Sequence, residues 1–370
     1  MKIAMIGQKG MVLGERGGGI ERHVAKISTY LVESGHDVTI YSRAKYLPEK
    51  PERLHGVHLK FIPTLYSKNL EAIIHTFFSS IHALFQGYDI IHYHGVGPAT
   101  LSWIPRVFAR KAKTIVTFHS QDQFHQKWSF FARKYLAFGE RAAATFPHYC
   151  ISVSHVIQVY CREHFNREVV YIPNGASPKE VKDFSELEKF GLEEKGYILN
   201  VGRIVPQKGL HFLVEAYKKL NTNKRLVIVG SSSFSDEYEK KVRALAKGNS
   251  NILFLGYQSG GALEQLFAHA YIYVQASESE GLPVVVLESM SYGVAPLVSD
   301  IPENLEAAHH AGFSFKNTNV DDLAKQLKYV LAHPDEVAEK GEEAQAVIET
   351  KFDWKLITSH IEGVYITARH

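Results

Sequence analysis

The segment ASESEGLPVVVLESMSYGVAPLVSD, Ala276–Asp300, carries two glutamates around a strongly apolar core. Glu280 follows the predicted strand YIYVQAS, and Glu288 lies eight residues further on, in the predicted helix PVVVLESMSYG. Acidic side chains near the start of a helix are favourable, which explains both glutamates as solvated charges. A carboxylate also accepts two hydrogen bonds, which suits the neighbouring hydroxyls of a ribose or hexose. The segment by itself leaves both interpretations open.

The alternation of strand and helix continues in both directions along the 370 residues. Stretches with apolar residues at helical spacing, such as Val24–Glu33 and Leu210–Leu220, separate short apolar runs. This alternation predicts parallel sheets with helices on both faces, the doubly wound α/β class. The predicted strands are Lys2–Gly7, Asp37–Ser42, His58–Ile62, Asp89–His94, Thr114–His119, Tyr149–Val153, Val169–Ile172, Tyr197–Val201, Leu226–Val229, Ile252–Leu255, Tyr271–Val274 and Ala295–Ser299.

A chain of this length exceeds the usual size of one hydrophobic core, so we expect two domains that face each other across a cleft. The polar segment Ile172–Tyr197, with proline, glycine and two charged clusters, marks the boundary. We predict a first domain over 1–178 and a second over 192–352. Doubly wound sheets bind ligands at the carboxyl ends of their strands, so the loops that follow strands are the candidate sites.

Composition excludes several classes of protein. With 45% apolar and 22% charged residues the chain is neither disordered nor fibrous. No apolar run approaches the roughly 18 residues of a membrane-spanning helix, and MKIAMIGQKG predicts a buried strand rather than a signal peptide. Cys150 and Cys161 are too few for a disulfide framework and lack partners at zinc-like spacing. We therefore expect a cytoplasmic protein.

The net charge of +3 conceals an asymmetry between the two halves. Residues 1–183 hold 23 basic and 14 acidic side chains, whereas the remainder holds 19 basic and 25 acidic ones. The first half should therefore attract anionic partners. Since the sequence has no RNP signature, zinc finger or arginine-rich helix, an anionic membrane surface or a phosphate-bearing substrate is a better candidate than nucleic acid.

Two segments predict binding of an anion. GERGGGIERH, Gly14–His23, is a glycine-rich turn that leads from a strand into a helix, where backbone N–H groups can approach an oxyanion. Its spacing fits neither a Walker A loop nor a dinucleotide fingerprint, and a flexible loop explains it equally well. VGRIVPQKGL, Val201–Leu210, places Arg203 and Lys208 beside a helix amino terminus, where cations oppose the helix dipole. An anion between them would offset that penalty better than solvent does.

Three histidines lie near the ends of predicted strands. His92 and His94 alternate onto one face of IIHYHG, and His119 ends TIVTFHS. Imidazole is a common metal ligand, so the first two suggest a metal site. No third ligand with suitable spacing accompanies them, so we expect cleft lining or strand-end packing and no bound metal.

The segment FHQKWSFFARKYLAFGER, Phe124–Arg141, interleaves basic and aromatic side chains. Lys127, Arg133 and Lys134 alternate with aromatic residues such as Trp128. A basic aromatic helix can lie in a membrane interface or receive a lipid-linked acceptor. A helix that buries its aromatic stripe in the domain core explains the same pattern.

Taken together, these segments resemble the family 4 glycosyltransferases, retaining enzymes of the GT-B fold. The resemblance spans nearly the whole chain and is carried by GGIERHV, IPNG, GRIVPQKGL, the Ala276–Asp300 segment and the final WKLITSHIEGVYITARH. It implies two Rossmann-like domains, with a nucleotide-diphosphate sugar bound mainly by the second. It also implies that the last helix, 353–370, crosses back to the first domain.

The resemblance also implies roles for particular residues. Arg203 and Lys208 would hold the donor diphosphate and stabilise the charge that grows on the leaving group. Glu280 would bind hydroxyls of the donor sugar and act in catalysis, and Glu288 would bind the ribose hydroxyls.

In the first domain, the resemblance places Gly18 and Gly19 where the backbone can approach the diphosphate. His119 matches a catalytic-site histidine that contacts the donor sugar. The chain contains no Asp-x-Asp motif, which fits transfer that needs no metal or other cofactor. Retention of configuration rests on the resemblance alone, because no residue in the sequence identifies itself as a back-face nucleophile.

The expected substrates are a nucleotide-sugar donor and a glycan or polyprenyl-linked acceptor, in cell-surface polysaccharide or glycoconjugate synthesis at the inner face of the membrane. Two alternatives stay open at this point. A nucleotide-sugar 2-epimerase shares the fold and would convert the donor without an acceptor. A non-catalytic subunit that binds nucleotide sugar is the other, although Arg203, Lys208, Glu280 and Glu288 are all present.

Overall fold

The computed structural model of the protein describes residues 1–12, 17–67, 70–121, 130–232 and 235–370, with side chains from residue 134 onward in the helix that begins at Phe130. It divides into two compact units. The first comprises Met1–Asn174 and Trp354–His370, and the second comprises Gly175–Asp353. The expectation that the last helix returns to the first domain is therefore confirmed.

The first unit is built on one sheet, in which β1 pairs in parallel with β2 on one side and with β5 on the other. The strand order is β3-β4-β2-β1-β5-β6-β7-β8, and β3 with β4 is the antiparallel pair. Strand β5 is buried along its whole length, as expected of a parallel sheet covered on both faces. The strands are β1 Lys2–Ile6, β2 Asp37–Ser42, β3 Arg53–Leu54, β4 Val57–Phe61, β5 Ile90–His94, β6 Lys113–Phe118, β7 Tyr149–Ser152 and β8 Val170–Tyr171.

Helices flank this sheet, and the last helix of the chain packs against the first. They are α1 Gly19–Glu33, α2 Glu71–Leu84, α3 Val96–Ala99, α4 Trp103–Phe108, α5 Phe130–Thr145, α6 His155–Phe165 and α15 Trp354–Arg369. The apolar residues Val24, Ile27 and Leu31, which recur at helical spacing along α1, are fully buried. It shares one hydrophobic cluster with Ile357 and Ile361 of α15, so α15 completes the core of the first unit.

The second unit repeats the architecture. Its parallel sheet has the order β11-β10-β9-β12-β13-β14, with strands β9 Tyr197–Val201, β10 Arg225–Val229, β11 Ile252–Gly256, β12 Ile272–Gln275, β13 Pro296–Ser299 and β14 Phe313–Phe315. Its helices are α7 Ser185–Lys189, α8 Leu210–Tyr217, α9 Asp236–Ala246, α10 Gly260–Ala268, α11 Val284–Ser291, α12 Pro302–Ala308, α13 Val320–Ala332 and α14 Pro334–Val347, with a π-helical turn at Ile348–Phe352. Leu210, Leu213 and Tyr217, at helical spacing along α8, lie in the core of this unit, and α13 packs beside α8.

Each sheet grows in both directions from its first strand. In the first unit β1 lies between β2 and β5, and in the second unit β9 lies between β10 and β12. The loops after β1 and β5, and after β9 and β12, therefore leave toward opposite faces of their sheets. Such switch points, at the carboxyl ends of the strands, are where doubly wound sheets bind ligands.

Candidate functional site

At the switch point of the second unit, the loops that follow β9 and β12 are joined by hydrogen bonds. The amide nitrogen of Glu278 donates to the Gln207 carbonyl oxygen at 2.9 Å, and Gln207 Nε2 donates to the Ser279 carbonyl oxygen at 2.6 Å. A 3₁₀ turn at Pro206–Lys208 therefore lies against the loop that carries Glu280.

Gly209 permits this close approach. Its φ is +63°, and a Cβ built there would lie 1.9 Å from the carbonyl oxygen of Ala276, the residue just after β12. A side chain at this position is therefore excluded both by the backbone conformation and by the neighbouring strand end. Helix α8 begins at the next residue, Leu210, as the sequence predicted.

Lys208 and Glu280 meet as an ion pair. Lys208 Nζ lies 2.5 Å from Glu280 Oε1, and the two side chains are 17% and 11% exposed. The same oxygen accepts hydrogen bonds from Ser277 Oγ at 2.5 Å and Gln275 Nε2 at 2.7 Å. Burial raises the pKa of Glu280, but the charge and hydrogen bond of Lys208 and the bonds from Ser277 and Gln275 outweigh it and lower the pKa overall. Glu280 is therefore a fixed, ionised carboxylate.

Sequence reasoning missed the polar residues that hold Glu280. Gln275 receives a hydrogen bond from the Tyr273 hydroxyl, and Ser277 receives one at its carbonyl oxygen from Ser299 Oγ at 2.5 Å. Asn304 Nδ2 in turn donates to Ser299 Oγ at 2.8 Å. The only sequence signal for this network is a glutamine and two serines at buried strand ends, in YVQAS and PLVS, where apolar residues are the norm.

The other two predicted donor residues lie on the same unit. Arg203 is exposed in the segment between β9 and the 3₁₀ turn. Glu288 is half-buried in α11, which forms where the sequence predicted it. Burial raises the pKa of Tyr273 well above its usual value, and the charges of Glu280 and Glu288 raise it further, so both carboxylates act on this one tyrosine.

A further carboxyl group lies near Glu280. Glu303, in the first turn of α12, has a raised pKa because it is partly buried and because the charge of Glu280 acts on it. The second unit therefore concentrates acidic groups at the switch point, with Lys208 paired to the innermost of them.

The switch point of the first unit is lined by histidines. His119 follows β6, His92 and His94 lie on β5, and His23 lies on α1. His94 Nδ1 is 3.2 Å from His119 Nε2, and the rings of His23 and His119 meet edge to face with centroids 4.9 Å apart. One ring nitrogen from each of His23, His94 and His119 lies within 4.8 Å of the others, a spacing that could hold a metal ion.

This group differs from the predicted pair, because His94 lies at ligand spacing with His23 and His119 and the group does not include His92. The parallel pairing of β5 with β6 brings His119 to His94, and α1, which follows β1, adds His23, so the three residues meet although His23 and His119 lie 71 and 25 positions from His94 along the chain. No ligand spacing in the sequence could show this, because the contacts depend on the strand order.

Burial keeps these imidazoles neutral. It lowers the pKa of His23 to about 4, although the hydrogen bond that His23 Nδ1 donates to Asn174 Oδ1 raises it, and it lowers the pKa of His92 to about 3. The pKa values of His94 and His119 are lowered well below the usual range, by burial and by the neighbouring histidines. His92 is further fixed by Tyr365 of α15 and by Thr117, each 2.7 Å away.

The glycine-rich turn has a partner within the chain. Gly18 is the residue before α1, and its amide nitrogen donates to Glu21 Oε2 at 2.8 Å, while the Lys9 amide donates to Glu21 Oε1 at 3.1 Å. A carboxylate of the protein thus occupies part of the predicted anion site. Gly19, the first helical residue, is exposed, and residues 14–16 lie outside the described residues.

The structure describes only part of the segment Phe124–Arg141, which was predicted to face the acceptor or a membrane. Lys127 and Trp128 lie outside the described residues, as does the side chain of Arg133, and Lys134 is exposed on α5. The interpretation that this helix buries its aromatic residues in the core was wrong for the described part, because Tyr135 and Phe138 are exposed. Within the described residues, no helix combines the length and hydropathy that crossing a membrane requires.

Comparison with known proteins agrees with this architecture. Residues 17–180 match the family model described as Glycosyltransferase Family 4, and residues 183–347 match the model described as Glycosyl transferases group 1. Over 186 residues the chain is 31% identical to a sulfoquinovosyl transferase of Arabidopsis thaliana, a match that covers 48% of this chain but only 34% of that relative's length.

Two further proteins match along nearly the full length. A phosphatidyl-myo-inositol mannosyltransferase of Mycolicibacterium smegmatis is 24% identical, over 95% of this chain and 90% of that protein. The crystal structure of HepE from Anabaena, in complex with UDP and glucose, covers 99% of this chain and 100% of that one, with a TM-score of 0.82 and 19% identity. At that identity the likeness establishes the fold, a GT-B arrangement of two α/β units.

Proposed function

We propose that this chain, which belongs to the family 4 glycosyltransferases, moves a sugar from a nucleotide-diphosphate donor to a hydroxyl of a glycan or lipid-linked acceptor and retains the anomeric configuration. The pairing of Lys208 with Glu280 at 2.5 Å, at the switch point of the second unit, is the observation that carries the proposal. A fixed cation beside a fixed carboxylate suits a ligand that has both an anionic group and hydroxyls.

In this proposal Arg203 and Lys208 bind the donor diphosphate. Both belong to the segment that follows β9, and the second lies within the 3₁₀ turn that Gly209 ends. The pairing with Glu280 fixes the ammonium before the donor arrives, so little reorganisation is needed when charge develops on the leaving group. The arginine adds a planar fork for two phosphate oxygens.

Glu280 and Glu288 bind hydroxyls of the sugar and the ribose. Among the described residues, the three hydrogen bonds that hold the Glu280 side chain all end on Oε1, so Oε2 can accept a hydrogen bond from a hydroxyl of the donor sugar. The lowered pKa of Glu280 keeps it an acceptor throughout the physiological range. UDP and glucose in the HepE structure, and the mannosyltransferase among the relatives, support a nucleotide sugar as the donor.

His119 acts as a neutral imidazole beside the reacting carbon. Its lowered pKa, caused by burial and by the neighbouring histidines, excludes a positive charge where oxocarbenium character develops. The glycosidic bond to the leaving phosphate breaks as the acceptor oxygen attacks from the same face, and the acceptor proton passes to the leaving phosphate. No residue of the chain needs to form a covalent bond to the sugar.

The reaction proceeds without a metal ion or other cofactor. Lys208 and Arg203 supply the positive charge that a divalent ion would otherwise place on the diphosphate. Activity should therefore survive exhaustive chelation. Loss of activity on chelation, with recovery on adding Zn²⁺ or Mg²⁺, would contradict this part of the proposal. The cluster of His23, His94 and His119 would then be the candidate metal site.

The donor is tested first by incubating the purified protein with a panel of nucleotide sugars and measuring release of nucleoside diphosphate. We expect release with one class of donor and its loss in the Glu280→Ala and Arg203→Ala variants. Conversion of the donor to an epimer without release would favour an epimerase, and neither release nor epimerisation with any donor would favour a non-catalytic subunit. NMR of the product with the identified acceptor then gives the anomeric configuration.

A further inference from the structure

Helix α2 directs its apolar residues outward. Its buried positions are mostly polar or small, namely His75, Thr76, Ser79, Ser80 and Ala83. Phe77, Phe78 and Ile81 are exposed, and Phe85, the residue after the helix, is 80% exposed. A helix that covers the core of a water-soluble protein shows the opposite arrangement. Packing in the core of the first unit therefore does not explain the apolar residues on the outer side of α2.

The neighbouring helix α4 extends this surface. It packs beside α2, and its Trp103, Val107 and Phe108 are exposed, with the rings of Trp103 and Phe108 6.4 Å apart. We call the exposed side chains of Phe77, Phe78, Ile81, Phe85, Trp103 and Phe108 the α2–α4 face. Exposed apolar clusters of this kind mark surfaces that bind a partner or a membrane.

The charge around the α2–α4 face is basic. Arg106, one helical turn from Trp103, is exposed, as are Arg110 and Lys111 just after α4. Between residues 72 and 112 the chain contains one acidic residue, Asp89. Asp89 is already engaged, since it accepts a hydrogen bond from the Lys2 amide at 2.7 Å and pairs with Arg369 at 3.3 Å. The exposed cations therefore remain available to an anionic partner.

We propose that the α2–α4 face docks the protein on an anionic lipid bilayer. The aromatic and aliphatic side chains insert between lipid headgroups, and the adjacent guanidinium and ammonium groups contact lipid phosphates, as in helices that lie in a membrane interface. A second copy of the chain fits less well, because contact between two such faces would bring both sets of cations into one interface. The inference rests on the proposed function, because a lipid-linked acceptor of the transferase would lie in the bilayer on which the α2–α4 face docks.

Vesicle flotation tests the proposal in the absence of any sugar donor or acceptor. Vesicles of equal parts phosphatidylglycerol and phosphatidylcholine should float the wild-type protein, and vesicles of phosphatidylcholine alone should float it more weakly. The triple variant Phe77→Ser, Phe78→Ser and Phe85→Ser should lower the partition coefficient about tenfold or more. The triple variant Arg106→Gln, Arg110→Gln and Lys111→Gln should remove the preference for phosphatidylglycerol and the sensitivity to salt.

Matched variants elsewhere control for hydrophobicity and charge. Ile366→Ser and Leu305→Ser remove exposed apolar side chains, and Lys26→Gln with Lys325→Gln and Lys328→Gln removes three exposed positive charges. These variants should float like the wild-type protein. Circular dichroism and thermal unfolding verify that each variant is folded.

Three outcomes would overturn the proposal. The first is a wild-type protein that does not float with phosphatidylglycerol vesicles, and the second is a phenylalanine variant that floats as well as wild type. The third is a wild-type dimer in sedimentation without lipid that the phenylalanine variant converts to a monomer, which would identify the face as a contact between copies. Donor-dependent release of nucleoside diphosphate, measured without membranes, should be unchanged in each case, so failure here is distinct from failure of the proposed function.

Discussion

At the scale of single residues, the environment of Glu280 shows why the charged pair at the switch point is more than a surface salt bridge. Lys208 and Glu280 are mostly shielded from water, and Gln275 and Ser277 donate to the same carboxylate oxygen. Exposed pairs gain little because water screens them and because both side chains lose freedom. Here the neighbouring donors have already restricted the carboxylate.

Breaking this pair should therefore cost stability that breaking an exposed pair does not. We expect Lys208→Met to lower the free energy of unfolding by about 1–3 kcal/mol, because it leaves a partly buried carboxylate without its counter-charge. In a double-mutant cycle with Glu280→Gln, measured by urea unfolding, the double variant should recover much of the loss.

The pair Lys189 and Glu186, at 2.7 Å and with exposed fractions of 64% and 32%, is the matched control. The cycle Lys189→Met with Glu186→Gln should give a coupling below about 1 kcal/mol. Equal coupling energies for the two pairs would contradict the view that burial and shared hydrogen bonds distinguish the first.

The buried histidines of the first unit predict a pH dependence of its stability. Burial lowers the pKa of His23 to about 4 and that of His92 to about 3, whereas the ordinary value is 6.5. Between these values the unfolded chain binds protons that the folded chain does not. Stability should therefore fall as the pH is lowered below about 6.5, by about 1.4 kcal/mol per histidine for each pH unit.

Tryptophan fluorescence measures this effect in the first unit alone, because all three tryptophans belong to it. The variant His92→Gln removes one titrating group. The slope of the unfolding free energy against pH gives the number of protons taken up on unfolding, and this number should fall by about one. His333→Gln, in the second unit, controls for the substitution itself. An unchanged slope in His92→Gln would show that this histidine is protonated in the folded protein.

At the scale of secondary structure, the apolar runs predicted the strands well because buried parallel strands consist almost entirely of apolar residues. The strands β2 and β9 have the predicted bounds, and others differ by a residue or two at their ends. The short strands β3 and β14 were not predicted. β3 is a two-residue antiparallel edge that contains Arg53, and β14 holds only three residues, so neither gives an apolar run long enough to recognise.

The connection between β9 and α8 offers a test of how backbone geometry positions Lys208. A methyl group at Gly209 would lie 1.9 Å from the Ala276 carbonyl oxygen and would occupy a φ of +63°. We expect Gly209→Ala to displace the 3₁₀ turn, to cost about 1–3 kcal/mol of stability and to reduce nucleoside diphosphate release strongly.

Gly256→Ala separates conformational strain from collision. Gly256 has a φ of +66°, and no atom lies within 4 Å of a Cβ built there. This variant should lose about 1 kcal/mol of stability from the positive φ alone and retain its activity. Similar losses of activity in both variants would show that the approach to Ala276 does not position the site.

At the scale of the whole molecule, the sequence predicted which residues matter better than it predicted which of them meet. Lys208 and Glu280 were both identified, but their direct contact depends on β9 and β12 being neighbours in the sheet. No local sequence pattern determines the order of strands in a sheet. The histidine cluster has the same cause. The basic excess of the first half, by contrast, follows from composition alone, and Arg106, Arg110 and Lys111 beside the α2–α4 face are part of it.

The division into two units predicts that a donor nucleotide stabilises them unequally. If the diphosphate binds to Arg203 and Lys208, a nucleoside diphosphate present at about 100 times its dissociation constant should raise the unfolding free energy of the second unit by about 2.7 kcal/mol. Hydrogen exchange of β9, β12 and α11 should slow accordingly. Tryptophan fluorescence, which reports on the first unit, should shift less in the same urea titration.

In Lys208→Met the protection of the second unit should shrink, whereas it should persist in Lys189→Met, which removes an exposed lysine of the same unit. Protection confined to the first unit, or equal protection in Lys208→Met and wild type, would place the nucleotide away from the switch point of β9 and β12.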